Sequence, residues 1–150
     1  MINKPLAPFD ILLLEDEPAD AYLVKIALEE GNKPTNLHHV VDGYEGFTFL
    51  QQQECYKDAP RPDLILLDMN MPRMSGHEFL MKIKADDAFK SIPIVVLTTS
   101  EAEIDILKSY QLGAASYISK PIDVTRFMTM INQLEDYWFT LVCLPVERKL

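Results

Sequence analysis

Short apolar runs alternate with segments of helical periodicity along the whole chain. The apolar runs occupy residues 10–14, 37–41, 64–68, 94–98 and 116–119. Between and after them, apolar residues recur three and four positions apart, a spacing typical of a helix with one buried face. These segments span residues 19–30, 44–53, 75–85, 102–112 and 124–138. The pattern therefore predicts five strands and five helices in regular alternation.

The alternation of strands and helices predicts a parallel sheet. Repeated βαβ units place helices on both faces of such a sheet, and the continuous apolar run at residues 64–67 suits a strand that is covered on both faces. Right-handed crossovers then give a doubly wound α/β fold. We expect the flavodoxin-like (βα)5 form with strand order 2-1-3-4-5, one of the two common orders.

Polar residues follow four of the five predicted strands. Glu15 and Asp16 come after the first, Asp68 ends the third, Thr98 ends the fourth and Lys120 follows the fifth. In open parallel sheets, ligands bind outside the carboxyl ends of the strands. The order of residues along the chain thus predicts one site that contains all five side chains.

The residue types at these strand ends suit metal-assisted phosphoryl chemistry. Two carboxylates 4 Å apart repel by about 4 kcal/mol at an effective dielectric constant of 20. A divalent cation offsets that repulsion, and carboxylate oxygens together with water suit Mg²⁺. A carboxylate can act as the nucleophile that forms an aspartyl phosphate. The metal ion and Lys120 would then neutralise the charge of the phosphoryl oxygens.

Each of these residues also has a simpler interpretation when it is taken alone. Glu15 and Asp16 could be solvated loop charges or acids that favour a helix N-terminus. Asp68 could be a turn residue, Thr98 could bond to the backbone, and Lys120 could be a surface charge. The occurrence of the required types at four separate strand ends favours the shared site.

Composition excludes some classes of partner. The net charge of −9 repels polyanions, so we expect no nucleic-acid partner. No apolar run approaches the roughly 18 residues that a membrane span requires, so we expect no membrane association. Cys55 and Cys143 are isolated in the sequence, which predicts two reduced thiols and a cytoplasmic location.

At the strand ends the chain resembles the receiver domains of bacterial two-component response regulators. The matching segments are LEDEP at residues 14–18, LLDMNMPRMSG at 66–76, LTTS at 97–100 and SKP at 119–121. The resemblance covers roughly residues 9–135. It implies a signalling protein whose only chemistry is its own phosphotransfer and autodephosphorylation, and not an enzyme.

The resemblance also implies a role for each site residue. Asp68 is the phosphoacceptor, and Glu15, Asp16, Asp68 and the backbone carbonyl of Asn70 hold Mg²⁺, for which Mn²⁺ could substitute. The first acid is Glu15 where the family commonly has Asp, so its longer side chain could reach the metal through water.

Further roles concern phosphate binding and switching. Thr98 and Lys120 would contact the phosphate, and Thr98 and Tyr117 would switch on activation. The family pattern also predicts a cis peptide bond between Lys120 and Pro121, which is plausible only because proline follows.

The chain is similar, more narrowly, to the small response regulators of cyanobacterial phytochromes. The supporting segments are FLQQQ at residues 49–53, RPDLILLD at 61–68 and the tail at 138–145. This similarity implies that a sensor histidine kinase, a phytochrome, supplies the phosphoryl group. The face formed by the fourth helix, the fifth strand and the fifth helix would then change shape.

The predicted domain organisation is simple. We expect a flexible tail at residues 1–8, the receiver domain at 9–138 and an apolar extension at 139–150, with no separate output domain. The extension and the end of the last helix are predicted to form a homodimer or kinase-docking surface. Its apolar residues are Trp138, Phe139, Leu141, Val142 and Leu144. Alternatively, this tail folds back on its own core.

Three other functions fit the residues less well. A phosphohydrolase of the haloacid dehalogenase type needs a second acid two residues after the nucleophile, where this chain has Asn70, which cannot titrate. A flavodoxin needs a phosphate-binding loop after the first strand, where Glu15 and Asp16 would repel phosphate. A scaffold without phosphorylation would not require Asp68, Thr98 and Lys120 together.

Overall fold

The computed structural model describes residues 8–31 and 33–145, and within them the predicted alternation of strands and helices is confirmed. The strands are β1 Phe9–Leu14, β2 Thr35–Val40, β3 Leu64–Leu67, β4 Ile94–Thr98 and β5 Ser116–Ser119. The helices are α1 Pro18–Glu30, α2 Gly43–Leu50, α3 Gly76–Lys84, α4 Glu103–Gln111 and α5 Val124–Asp136. A short 3₁₀ helix spans Glu54–Tyr56, and a π-helical turn spans Tyr137–Leu141. No helix among these residues is long and apolar enough to cross a membrane.

The five strands form one parallel sheet with the order β2-β1-β3-β4-β5. This is the predicted order 2-1-3-4-5, which is therefore confirmed. Leu14 pairs with Val40 on one side and with Leu67 on the other. The carboxyl ends of β1 and β3 are therefore level, so the residues that follow them meet at one edge.

Apolar residues cover both faces of the sheet. Leu12 and Leu14 point into a core shared with α2 and α3, where Phe79 is fully buried. Ile11 and Leu13 point to the opposite face, into a core shared with α1 and α5. Successive strand residues alternate between the two faces, and all four residues of β3 are 0% exposed. Both faces are thus buried, as the continuous apolar run predicts.

The second helix ends earlier than its periodicity predicts. The pattern extends to residue 53, but α2 ends at Leu50. Gln52 and Glu54 have φ values of 56° and 53°, which lie in the left-handed region and are incompatible with a continuing right-handed helix. The backbone turns here toward the 3₁₀ helix.

The π-helical turn after α5 packs partly on its own domain. Phe139 is 8% exposed and lies in the core beneath α1 and α5. Its ring stacks on Phe9, with centroids 4.2 Å apart and an angle of 16° between the planes. The prediction that Phe139 belongs to a partner surface is therefore wrong, because its own β1 covers it. Leu141, in contrast, is 75% exposed.

The remaining predictions for the chain ends are only partly covered by the described residues. The predicted boundary between residues 138 and 139 falls inside the π-helical turn. Trp138, Val142 and Leu144 are half-buried. Of the predicted tail at residues 1–8, only Pro8 belongs to the described part of the chain, and residues 146–150 of the predicted extension lie outside it.

Replacement of Phe139 by alanine should destabilise the protein. Because the ring is buried against Phe9, we expect Phe139→Ala to lower the free energy of unfolding by roughly 3 kcal/mol. Urea denaturation at concentrations where the protein is monomeric would measure this free energy. Leu141→Ala is the matched control and should change the free energy by less than about 0.5 kcal/mol. Equal effects of the two substitutions would contradict the placement of Phe139 in the core.

Candidate functional site

Three carboxylates meet at the carboxyl ends of β1 and β3. Oxygen atoms of Glu15, Asp16 and Asp68 all lie within 4.8 Å of one another. Glu15 and Asp68 are 2% and 6% exposed, whereas Asp16 is exposed. The sequence prediction that these three residues share a site agrees with this geometry.

Backbone hydrogen bonds fix the positions of the two buried acids. The Glu15 N–H donates to the Val40 carbonyl at 3.0 Å, and the Asp68 N–H donates to the Leu14 carbonyl at 3.1 Å. Both bonds extend the sheet by one residue past the strand ends. A Cβ on Gly76 would lie 2.5 Å from the Asp68 carbonyl oxygen, so only glycine lets α3 begin this close to Asp68.

Lys120 enters the same cluster from the end of β5. Its Nζ donates to Glu15 and, at 2.9 Å, to Asp20, and it lies 4.0 Å from Asp68 Oδ2. Its side chain is 5% exposed. The Lys120 N–H also donates to the Thr98 carbonyl at 2.7 Å, which extends the β4–β5 ladder and directs the side chain toward the acids.

The sequence prediction for the Lys120–Pro121 peptide is wrong. No cis peptide bond occurs in the described residues, so this bond is trans. The trans form is favoured by about 0.5–1 kcal/mol even before proline. Lys120 reaches Glu15 and Asp20 with the trans bond, so the observed contacts do not require the rarer isomer.

The cluster carries more negative than positive charge. The pKa of Glu15 is raised to about 8, because burial and, after it, Asp68 raise the pKa by more than the Lys120 hydrogen bond lowers it. Desolvation and the Asp68 charge also raise the pKa of Asp16. Burial opposes charge on Lys120, but the hydrogen bonds to Asp20 and Glu15 raise its pKa. One ammonium therefore faces four carboxylates, a donor set that favours an additional cation.

Thr98 and Tyr117 both contact the loop between β4 and α4. Thr98 is fully buried, and its Oγ1 accepts a hydrogen bond from the Ser100 N–H at 3.5 Å. The Tyr117 hydroxyl donates to the Ser100 carbonyl at 2.9 Å. Both predicted switch residues thus hold the same loop residue, one through its N–H and the other through its carbonyl.

The loop between β3 and α3 is hydrogen-bonded to Asp42, the N-cap residue of α2. The Asn70 N–H donates to Asp68 Oδ1 at 3.3 Å. Three residues later, Arg73 has a φ of 64° and donates through Nε to Asp42 Oδ2 at 2.9 Å. Asp42 is 1% exposed; burial opposes its charge, but the Glu45 N–H and Arg73 hold its pKa below the ordinary value.

Sequence reasoning missed three residues of this region: Asp20, Asp42 and Arg73. Asp20 could have been found, because it lies in the first turn of α1, directly after the acidic motif. Asp42 and Arg73 are 31 positions apart, and no motif connects them. Their contact depends on the packing of α2 beside the β3–α3 loop.

Comparisons with known proteins point to one family. A model of the response regulator receiver domain family matches residues 11–132. Response regulator Rcp1 of Synechocystis sp. is 41% identical over 145 residues, which cover 97% of this chain and 99% of Rcp1. A TM-score of 0.89 relates the fold to the phosphorylated cyanobacterial phytochrome response regulator RcpA, at 40% identity over 93% of this chain and 100% of RcpA. The structure of the Mn²⁺-bound form of Rcp1 has a TM-score of 0.87 at 41% identity, and the match covers 93% of this chain and 100% of the Rcp1 chain.

The raised pKa of Glu15 predicts how stability depends on pH without divalent cations. The neutral carboxyl is favoured in the fold, because the pKa is about 8 there against an ordinary 4.5. The contribution of this carboxyl group to the free energy of unfolding is complete below about pH 4.5 and is lost as the pH rises to about 8. In EDTA, Glu15→Gln should therefore exceed the wild type in unfolding free energy at pH 9 by at least about 1 kcal/mol.

Urea denaturation at pH 5, 7 and 9 measures this difference. Glu29→Gln, an exposed substitution in the last turn of α1, is the matched control and should follow the wild type at all three values. A Glu15→Gln variant that parallels the wild type from pH 5 to pH 9 would contradict the assigned pKa.

Proposed function

Because this chain belongs to the response regulator receiver domain family, we propose that it accepts a phosphoryl group on the carboxylate of Asp68. The chain is the receiver domain of a two-component response regulator and a signalling protein, like the phytochrome response regulators it resembles. One observation carries the proposal: Asp68 lies at the strand edge with two other acids and with Lys120 Nζ 4.0 Å away.

The donor set fits a resident Mg²⁺, with Mn²⁺ as a substitute. Glu15, Asp16 and Asp68 offer hard oxygen ligands within 4.8 Å of one another, and Mg²⁺ binds few protein carboxylates and retains several waters. The backbone carbonyl of Asn70 is the fourth proposed ligand. The bound ion would neutralise charge on the phosphoryl oxygens during transfer.

The protein's own residues position the reacting groups. An Asp68 oxygen attacks the phosphorus of a phosphohistidine on the partner kinase; the O–P bond forms, the N–P bond breaks, and the imidazole leaves. Lys120 opposes the charge of the transferred group, and the Thr98 hydroxyl donates a hydrogen bond to it. The labile phosphohistidine supplies the free energy, so the receiver contributes orientation and charge neutralisation.

The same contacts support a switching role for Thr98 and Tyr117. A phosphoryl oxygen that draws Thr98 toward Asp68 would break its bond to Ser100, the residue that Tyr117 also holds. The consequence would reach α4, β5 and α5, where Ile104 is 71% exposed. To move the equilibrium between the inactive and active states from 1:99 to 99:1, the phosphoryl group must stabilise the active state by about 5.5 kcal/mol more than the inactive state. Several phosphate contacts could supply this difference.

The proposed phosphodonor is a sensor histidine kinase of the phytochrome class. The support is the similarity to Rcp1 and to the phytochrome response regulator RcpA. Cys55 and Cys143 are both free and exposed, which suits the reducing cytoplasm. The net charge of −9 supports the proposal that nucleic acid is not a partner.

The homodimer also remains a proposal. Leu141 and Tyr137 are 75% and 52% exposed beside the half-buried Trp138, Val142 and Leu144. Together they form an apolar area at the end of α5, on which a second copy would seat. For the haloacid dehalogenase alternative there is no support, since the matched family is the receiver domain.

Phosphorylation should require the carboxylate of Asp68. Incubated with acetyl phosphate and Mg²⁺, the wild type should gain one phosphoryl group, and Asp68→Asn should lower the initial rate by at least about 100-fold, because the amide is not a nucleophile. Intact-protein mass spectrometry measures the adduct. Asp87→Asn, at a side chain that is 92% exposed, is the control and should label normally. Undiminished labelling of Asp68→Asn would refute the assignment.

A charge on the apolar area should disrupt the dimer. Leu141→Glu would bury an unpaired carboxylate between the two copies, and we expect the dimer dissociation constant to rise at least about 100-fold. Sedimentation velocity over a concentration series measures it. Leu107→Glu, on the exposed side of α4, should leave the dimer intact. A wild type that stays monomeric, or a Leu141→Glu dimer of unchanged affinity, would contradict the proposal.

A further inference from the structure

Asp20 contacts the site without belonging to its acidic triad. It is the third residue of α1, and its side chain is 28% exposed. Its Oδ2 accepts a hydrogen bond from Lys120 Nζ at 2.9 Å. The three carboxylates that converge within 4.8 Å are those of Glu15, Asp16 and Asp68. The contact of Asp20 is therefore with the lysine and not with the proposed metal position.

The ammonium group of Lys120 has three N–H donors. One donates to Glu15 and a second to Asp20. These two bonds fix the rotation of the group about its Cε–Nζ bond. The third N–H is left for the side of Asp68, whose Oδ2 lies 4.0 Å from Nζ. That is the position where a phosphoryl oxygen on Asp68 would arrive.

Glu15 cannot perform this orientation in every state of the site. Its Oε1 accepts from Lys120, and its Oε2 accepts from the Glu17 N–H at 3.2 Å. A divalent cation at the triad would compete for one of these oxygens. Asp20 is not one of the three converging acids. A cation bound there would therefore leave the hydrogen bond between Asp20 and Lys120 intact.

Asp20 also stands on a rigid support. Helix α1 begins at Pro18, and the Ala21 N–H donates to the Glu17 carbonyl at 3.1 Å. Val24 and Ala27 are buried in the core that α1 shares with α5. A group that is fixed on a packed helix orients its partner more sharply than one on a loop.

We propose that Asp20 is a positioning residue, which holds the Lys120 ammonium by one hydrogen bond so that it faces the phosphoryl group entering at Asp68. The inference rests on the proposed function, because it assigns Asp20 a task in that same transfer. Asp20 touches neither the phosphoryl group nor the metal ion; it acts through Lys120.

The test compares Asp20→Ala with Asp20→Asn. Both remove the same charge, but only the amide oxygen of asparagine can still accept the bond from Lys120. With acetyl phosphate and Mg²⁺, we expect the alanine variant to be phosphorylated about tenfold more slowly than the asparagine variant, the scale of a lost orientation. Asp20→Ser, whose hydroxyl is too short to bridge, should behave like alanine and serves if the alanine variant folds poorly.

A second readout separates positioning from a general disturbance of the site. The Mn²⁺ dissociation constant, measured by electron paramagnetic resonance of the free ion, should agree within about twofold between the alanine and asparagine variants. Asp87→Ala is the matched control, because Asp87 also pairs with a lysine, Lys90, at 2.8 Å but far from the site. It should react like the wild type.

The outcomes are distinguishable. Equal phosphorylation rates for Asp20→Ala and Asp20→Asn would overturn the role of Asp20, as would Mn²⁺ affinities that differ by as much as the rates. If the wild type itself gains no phosphoryl group, or if Asp68→Asn gains one, the proposed function fails instead.

Discussion

The pairing of Leu14 with Leu67 in the parallel sheet is the constraint on which the site depends. This register makes β1 and β3 end at the same level, so the next residue of each strand, Glu15 and Asp68, is placed at the same edge. Backbone hydrogen bonds extend the ladder to both acids. A slip by one residue would turn each side chain to the opposite face of the sheet. The packing of the apolar strands thus determines where the carboxylates lie and holds them together against their mutual repulsion.

Burial of these acids opposes the stability of the fold and prepares the chemistry. Desolvation and the neighbouring Asp68 raise the pKa of Glu15 to about 8, which means that the protein holds charges here at a cost in folding free energy. Lys120 compensates only part of the charge, although it binds both Glu15 and Asp20. A divalent cation or a proton must supply the rest. Ligand binding to the folded state is therefore coupled to stability, and a site that is strained without its cation is favourable for capturing one.

The sequence was sufficient for the fold and for most of the site because both depend on short-range patterns. Continuous apolar runs indicated strands buried on both faces, and the rule for strand ends brought Glu15, Asp68 and Lys120 together. Apolar residue type predicts that a side chain is buried but not which surface buries it. The prediction for Phe139 is wrong for this reason, because its ring packs on its own β1. The trans bond before Pro121 differs by too little energy from the cis form to be read from residue types.

The missed residues share a physical reason: each acts through another side chain and not on the reaction itself. Asp20 bonds to Lys120, and Arg73 restrains the loop after Asp68 by its bond to the buried Asp42. Such partners can come from any element that packs nearby, so no fixed spacing announces them. The reacting groups stand at strand ends, where the sheet holds them, while side-chain hydrogen bonds such as that from Tyr117 to Ser100 hold the loops beside them. A phosphoryl group at Asp68 could therefore exchange those contacts without disturbing the sheet, which is the property that a reversible switch requires.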